Sequence, residues 1–437
     1  MPFDAQTLLG NLSGHEQAPH IWIAYSGGMD SHVLLHALSC IRGQLASELK
    51  AIHINHDLHV DATQWDRHCA RICEQLDIPY QSTTVSLDTV AEEGIEAAAR
   101  SARYQALSGY MAEGDILLTA QHADDQAETL MLQLLRGSGV PGLAAMPAQS
   151  RFSKGWHLRP LLTNTRDELL DYATVHQLQW IEDPSNSDTR FDRNYLRHTV
   201  MPQLRARWPA MPHLLSRSAR HMAEANELLE NQGVRALENM NIGSRLRIKS
   251  SDPLILSIGE LCALSPAQQR NLLRHWIKQQ GMPVPSAAIL DQLQYSVVQA
   301  SIDSQPLLQW RGVEVRRYQD DLYIMQVLSP HDVTQVICWD GHSRVELANG
   351  TLLQLAELSQ QGLDLDKLKG TVLEIRYRQG GERCRVAGAG CSKSLKHLFQ
   401  EGNVPPWQRS RIPLLYVNNQ LALIVGLGVC EGFGKSG

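Results

Sequence analysis

No stretch of this chain approaches the roughly 20 consecutive apolar residues of a membrane-spanning helix, which argues against a span. The opening MPFDAQTLLGNLSG lacks the basic and apolar regions of a secretory leader, so a cytoplasmic address is expected. Cysteines are few and scattered: Cys40, Cys69, Cys73, Cys262, Cys338, Cys384, Cys391 and Cys430, with no C-x-x-C pair among them. That pattern predicts free thiols in a reducing compartment, with Cys69 and Cys73 on one helix face. There is no internal repeat and no low-complexity tract. A positive surplus is missing as well: 40 Lys and Arg stand against 46 Asp and Glu, a formal charge of −6. This excludes a uniformly basic nucleic-acid binder and leaves local patches open.

What remains is a globular composition, 43% hydrophobic and 20% charged, over 437 residues, enough for two or three cores. Apolar runs at 21–25, 49–54, 83–87 and 115–120 alternate with amphipathic stretches at 30–41, 61–76, 94–112 and 125–135. A further unit follows at 156–177. Short apolar strands separated by helices predict an α/β domain with a parallel sheet covered on both faces. From 183 the chain becomes basic, and residues 190–220 hold seven Arg and one acid, Asp192. Helical periodicity dominates 214–300, and β character returns from 305 to the end. The expected domains are 1–216, 217–335 (mainly helical) and 336–437 (small, α+β).

The first strand ends in YSGGMDS, residues 25–31. Gly27 and Gly28 permit positive φ and close backbone approach, and the helix beginning near Asp30 presents unpaired N–H groups. With Ser26 and Ser31 beside them, these residues make an anion cradle suited to phosphate. Neither G-x-x-x-x-G-K-[ST] nor G-x-G-x-x-G occurs at this turn.

Four other strings carry chemistry. AIHINHDLH at 51–59 places His53 and His56 at a strand end. GIEAAARSARY at 94–104 puts Arg100 and Arg103 on one helix face, fit for a phosphate or carboxylate. QHADDQAET at 121–129 turns the chain into a helix that Asp124 or Asp125 can cap. Asp125 and Glu128 then project from its first turn, ready for a cation, either a metal or an amino group. WIEDPSNSDTRFDRNYLR at 180–197 leads into the basic tract, with Arg193 and Arg197 four apart and Arg205, Arg207 and Trp208 beyond.

SGGMDS resembles the PP-loop of the N-type ATP pyrophosphatases, which cleave ATP to AMP and pyrophosphate. The resemblance implies an adenine nucleotide alpha hydrolase-like domain. It also implies ATP contacts from Ser26, Gly27, Gly28, Met29, Asp30 and Ser31, and Mg²⁺ held by Asp30 and Asp124. Within that superfamily the other strings are similar to the tRNA lysidine synthetases, although Gln121 stands where the family carries a second histidine. By that likeness His53 and His56 border the nucleotide, and Asp30, Asp124, Asp125 and Arg100 are catalytic. Asp125 and Glu128 recognise free L-lysine, and Arg193, Arg197, Arg205, Arg207, Lys393 and Lys396 grip tRNA. The last two are expected on one face of a helix at SKSLKHLFQEG, in a segment (374–411) with eight Lys or Arg against three acids. The implied partners are ATP, Mg²⁺, lysine and an isoleucine tRNA with a CAU anticodon, acted on by a monomer or homodimer without a membrane. A PP-loop tRNA thiolase is the alternative, and the lack of C-x-x-C counts against it. A non-catalytic binder with a relic loop is countered by the intact acids.

Overall fold

The computed structural model describes residues 3–55, 60–85, 95–240, 255–301, 304–347 and 352–435. The chain divides into two compact units, Met1–Leu228 and Leu229–Gly437. In the first, α1 (Thr7–Asn11) precedes β1 (His20–Ala24), α2 (Met29–Ile41), β2 (Glu48–Asn55), α3 (Ala62–Gln75), β3 (Tyr80–Thr84), α4 (Ile95–Tyr110), β4 (Ile116–Leu118) and α5 (Ala123–Leu135). Then follow α6 (Val140–Leu143), β5 (Gln149–Phe152), β6 (Gly155–Leu158), α7 (Arg166–Val175), α8 (Asp192–Tyr195), α9 (Met201–Arg207) and α10 (Met211–Asn239). The domain boundary expected at 216 falls inside α10.

The sheet order is β3-β2-β1-β4-β6-β5, and every neighbouring pair is parallel except β5 with β6. β1 shows why helices cover both faces. Ile21 and Ile23 enter one core with Val33, Leu34 and Leu38 of α2 and Leu169 of α7. Trp22 enters the other with Leu107 and Met111 of α4. That alternation is the period-2 geometry of a strand. The chain winds outward from β1 to β3, then returns to β4 on the opposite side of β1. The carboxyl ends of β1 and β4 therefore flank the reversal of strand order, where open α/β sheets bind ligands. The antiparallel edge strand β5 departs from the expected run of parallel strands. Its sequence QSRF has no fully buried residue, so it carries no hydrophobic run.

In the second unit, the helix Pro266–Gln279 sets Leu272, Leu273, Trp276 and Ile277 into a core with a four-stranded antiparallel sheet. That sheet runs Leu256–Ser257, Asp321–Gln326, Val313–Tyr318, Leu307–Trp310. A second core, including Trp339, Ile375, Leu415 and Leu423, lies on a five-stranded antiparallel sheet. Cys384 and Cys430, expected as free thiols, are joined as a disulfide with Cα atoms 5.8 Å apart. The reason is tertiary: Val386 and Cys430 form an isolated β-bridge, and both cysteines are buried with Leu395 and Phe399. The other six cysteines are free, with Cys69 and Cys73 buried together on α3.

Candidate active site

A cavity of about 1100 Å³ opens at the carboxyl ends of β1 and β4. Its floor is the 26–31 turn. Gly27 sits at φ +84°, a conformation that disfavours a side chain. A methyl group there would also lie 2.9 Å from both Cys69 Sγ and Ile181 Cδ1. The turn is held from several sides. Ser31 Oγ accepts from the Ser26 N–H at 3.2 Å and donates to the Gly28 carbonyl at 2.9 Å. The Ile181 N–H donates to the Gly27 carbonyl at 2.9 Å. Gly28 is the N-cap of α2 and supplies no capping side chain, so the first-turn N–H groups face the cavity side of the turn uncapped. Gly27→Ala should therefore cost about 2 kcal/mol or more through strain and overlap, and should raise the ATP KM. A thermal melt with an ATP titration checks both.

The acids lie on the adjoining wall. Asp30 Oδ1 is buried and has no hydrogen-bond partner among the described residues, while Oδ2 lies 3.6 Å from His122 Nε2. His122, not Asp124 or Asp125, is the N-cap of α5, and Asp125 Oδ2 closes the cap by accepting from the His122 N–H at 3.2 Å. The buried His122 ring lies within 3.4–3.7 Å of Asp30, Asp124 and Asp125. Burial opposes its charge, but Asp125, Asp30 and Asp124 outweigh burial and push its pKa up to about 9. The Asp125 N–H approaches Nδ1 at 3.5 Å, the outer limit of a hydrogen bond. Three carboxylates against one long contact make the ring a cation at neutral pH.

Because its folded pKa is raised above the ordinary 6.5, the stability that the His122 charge contributes is complete below pH 6.5 and is lost as pH rises through about 9. The wild-type melting temperature should fall across that window. His122→Asn should lack that component, as thermal melts from neutral to alkaline pH would show.

Asp125 and Glu128 are engaged by two arginines from the α8 region. Arg193 Nη2 and Arg197 Nη2 both donate to Asp125 Oδ1 at 2.9 Å. Glu128, 3% exposed, accepts from Arg193 Nε at 2.9 Å and from Arg197 Nε and Nη2 at 2.7 and 2.8 Å. Burial works against the Asp125 carboxylate, yet His122, Arg193 and Arg197 hold its pKa below the usual range. Burial likewise opposes the Arg197 charge and is overcome by Glu128 and Asp125, which raise its pKa. Asp124 has both oxygens in use: Oδ1 accepts from Arg205 and Oδ2 from the Arg166 N–H at 2.8 Å.

The expected site residues thus distribute unevenly. Ser26, Gly28, Met29, Asp30, Ser31, Arg100, Arg103, Asp124, Asp125 and Glu128 line one cavity. Arg193, Arg197 and Arg205, expected on a tRNA-facing surface, line it too, as partners of its acids. Arg207 stands over the exposed ring of Trp208 at 5.9 Å, with Phe191 and Tyr195 also exposed nearby in sequence. His53, expected at the nucleotide, is buried and lies 3.0 Å from the Tyr25 carbonyl, where it props the turn from below. His56 lies outside the described residues. Lys393 is not in the helix with Lys396. It belongs to a strand, because Ser394 caps a helix that starts at Leu395, and it pairs with Glu401 at 2.6 Å. Lys396 is exposed. His122 was not among the expected site residues, although its place directly before the acidic pair in QHADD was a signal available in the sequence.

Residues 3–204 match the PP-loop domain family, 256–323 the TilS substrate binding domain and 373–437 the TilS substrate C-terminal domain. A tRNA(Ile)-lysidine synthase of Coxiella burnetii is 42% identical over 436 residues, covering 100% of this chain and 95% of its own length. The chain belongs to the tRNA(Ile)-lysidine synthase family. A second lysidine synthase, from Methylococcus capsulatus, is 39% identical over 92% of this chain and 90% of its own. Among solved structures, the U34-tRNA thiolase NcsA of Methanococcus maripaludis, with its 4Fe-4S cluster, has a TM-score of 0.44 at 19% identity. It covers 50% of this chain and 77% of its own. Every residue lining the cavity except Arg205 falls inside the stretch that matches the PP-loop domain family.

Proposed function

We propose that this chain is a ligase that joins free lysine to C2 of the wobble cytidine in an isoleucine tRNA with a CAU anticodon, consuming ATP and releasing AMP and pyrophosphate. The observation that carries the reading is one cavity holding both an uncapped glycine turn and a cluster of two acids with two arginines. A carbonyl oxygen is a poor leaving group, so adenylation of the C2 oxygen must precede attack by an amine. The Gly27–Gly28 turn and the α2 N–H groups hold the pyrophosphate portion of ATP.

Asp30 fits a Mg²⁺ ligand, since its buried Oδ1 has no partner among the described residues. A bound Mg²⁺ would neutralise phosphate charge. Asp124 anchors Arg205 and the start of α7 through one hydrogen bond on each oxygen, and its remaining lone pairs leave it able to join Asp30 at the cation. Arg100 and Arg103, which line the same cavity, meet the phosphates. Lysine enters as a zwitterion. Asp125 and Glu128 receive its α-ammonium, while Arg193 and Arg197 receive its α-carboxylate. This leaves the ε-amine to attack C2 with departure of AMP. The amine must arrive neutral, and desolvation in the cavity lowers its pKa in that direction.

The exposed aromatics Phe191, Tyr195 and Trp208 beside Arg190 and Arg207 suit the unstacked bases of an anticodon loop. Segments 217–335 and 336–437 contact the tRNA body, with Lys396 among the residues on its backbone. A thiolase needs a reactive cysteine at the site. Cys69 lies buried beneath the turn, outside the cavity lining, and burial raises its thiol pKa.

The test is incubation with ATP, radiolabelled lysine and a panel of tRNA transcripts. Lysine incorporation confined to the isoleucine transcript is expected, and incorporation into none of them would refute the reading. Lys393→Ala with Lys396→Ala should weaken tRNA binding and lower the log–log salt slope by about 1 to 2. Lys393 spends part of its charge on Glu401, so most of that change should come from Lys396, which single variants in a filter-binding salt series resolve.

A further inference from the structure

Three side chains have no part in the steps above: Thr119 and Gln121, which line the cavity, and His157, buried behind Thr119. They form a chain of hydrogen bonds whose direction is set at one end. The Arg159 guanidinium has only donors, and its Nη2 lies 3.2 Å from His157 Nδ1, so that nitrogen is the acceptor. His157 is buried, and burial together with Arg159 and Arg100 pushes its pKa down to about 3, so the ring is neutral. Its proton therefore sits on Nε2, 2.7 Å from Thr119 Oγ1. Thr119 accepts that hydrogen and donates its own to Gln121 Oε1.

Each link runs one way, so the Gln121 carbonyl is turned inward and its NH₂ outward. Thr119 and Gln121 both line the cavity, and among the described residues the Gln121 Nε2 donates to no protein group. An outward amide with donors and no acceptor distinguishes the two pyrimidines. Cytosine presents a lone pair at N3, and uracil presents an N–H there.

Resting on the function proposed above, we propose that Gln121 is a specificity-determining residue that donates to N3 of the target cytosine, and that Arg159, His157 and Thr119 are positioning residues that fix the amide's orientation. Gln121→Glu tests this with little change in shape. One carboxylate oxygen still accepts from Thr119, while the other replaces the donor with an acceptor. Full-length enzyme is assayed for lysine incorporation into the C34 isoleucine transcript, with its U34 counterpart as competitor and the ATP KM read in parallel.

The preference for C34 over U34, taken as the U34 Ki over the C34 KM, should fall by roughly ten-fold or more in Gln121→Glu. It should fall by a smaller factor in Thr119→Val, which leaves the amide free to turn over. Thr119→Val also carries the test alone should Gln121→Glu not fold. A folded variant that keeps the wild-type ratio overturns the assignment while leaving the proposed reaction intact. Absence of lysine incorporation by the wild type overturns the reaction, and this inference with it.

Discussion

Asp30→Ala should lower AMP formation by roughly a hundred- to a thousand-fold while tRNA binding stays near wild type. Asp30 stands in the first turn of α2, directly after the glycine turn, with Oδ1 buried and unpartnered and Oδ2 toward His122. A buried carboxylate oxygen without a donor costs free energy, which is the signature of a group kept for a ligand. Removing it takes away a buried cavity carboxylate oxygen that has no hydrogen-bond partner among the described residues. It also removes one of three charges that keep His122 protonated, so the His122 pKa should drop in the variant. Asp30→Asn separates the two effects, since it keeps the shape and one acceptor oxygen but loses the charge. AMP release and a gel shift with the isoleucine transcript are the measurements. Near-normal AMP release from Asp30→Ala would remove Asp30 from the chemistry.

The parts of this site that were legible in the sequence are local ones. The run IWIAY followed by two glycines defines a strand, a turn and a helix start within a dozen residues, and β1 and α2 fall there. The parallel order of β3, β2, β1 and β4 follows from strands spaced by helices. The arginine partners of Asp125 and Glu128 were not legible, because they arrive from 65 to 72 residues away in the chain. A basic tract with seven arginines reads as a nucleic-acid surface when nothing shows which way its helix faces. α8 and the turn after it face inward, so Arg193 and Arg197 meet Asp125 and Glu128, and the residues further along, Arg207 and Trp208, stay outside. His53 shows the same limit from the other side. A histidine at a strand end can face a ligand or support the loop above it, and the Tyr25 carbonyl at 3.0 Å makes it a support. The Cys384–Cys430 pairing depends on a β-bridge across 46 residues that periodicity does not encode.

Glu128→Ala should separate the two halves of the reaction. The lysine KM is expected to rise by about a hundred-fold or more, the scale of losing a buried charged contact, while lysine-independent release of pyrophosphate stays within a few-fold of wild type. Glu128 touches neither the glycine turn nor Asp30. Its oxygens are spent on Arg193 and Arg197. Without it, both guanidiniums retain only Asp125 Oδ1, so the α-ammonium of lysine loses an acceptor and the arginines lose the geometry that presents them to the α-carboxylate. The same truncation leaves partly buried positive charge unpaired, and a loss of about 2 to 4 kcal/mol in stability should accompany it. Glu128→Gln controls for that loss, because the amide keeps one acceptor and the packing. It should recover most of the stability and little of the lysine affinity. The order of loss is what decides. If pyrophosphate release collapses along with lysine incorporation in a folded Glu128→Gln, the acid–arginine cluster serves the nucleotide, and the division of this cavity into a phosphate floor and an amino-acid wall is wrong. If pyrophosphate release survives, the cavity joins two binding sites that meet at His122, which lies against Asp30 on one side and Asp125 on the other.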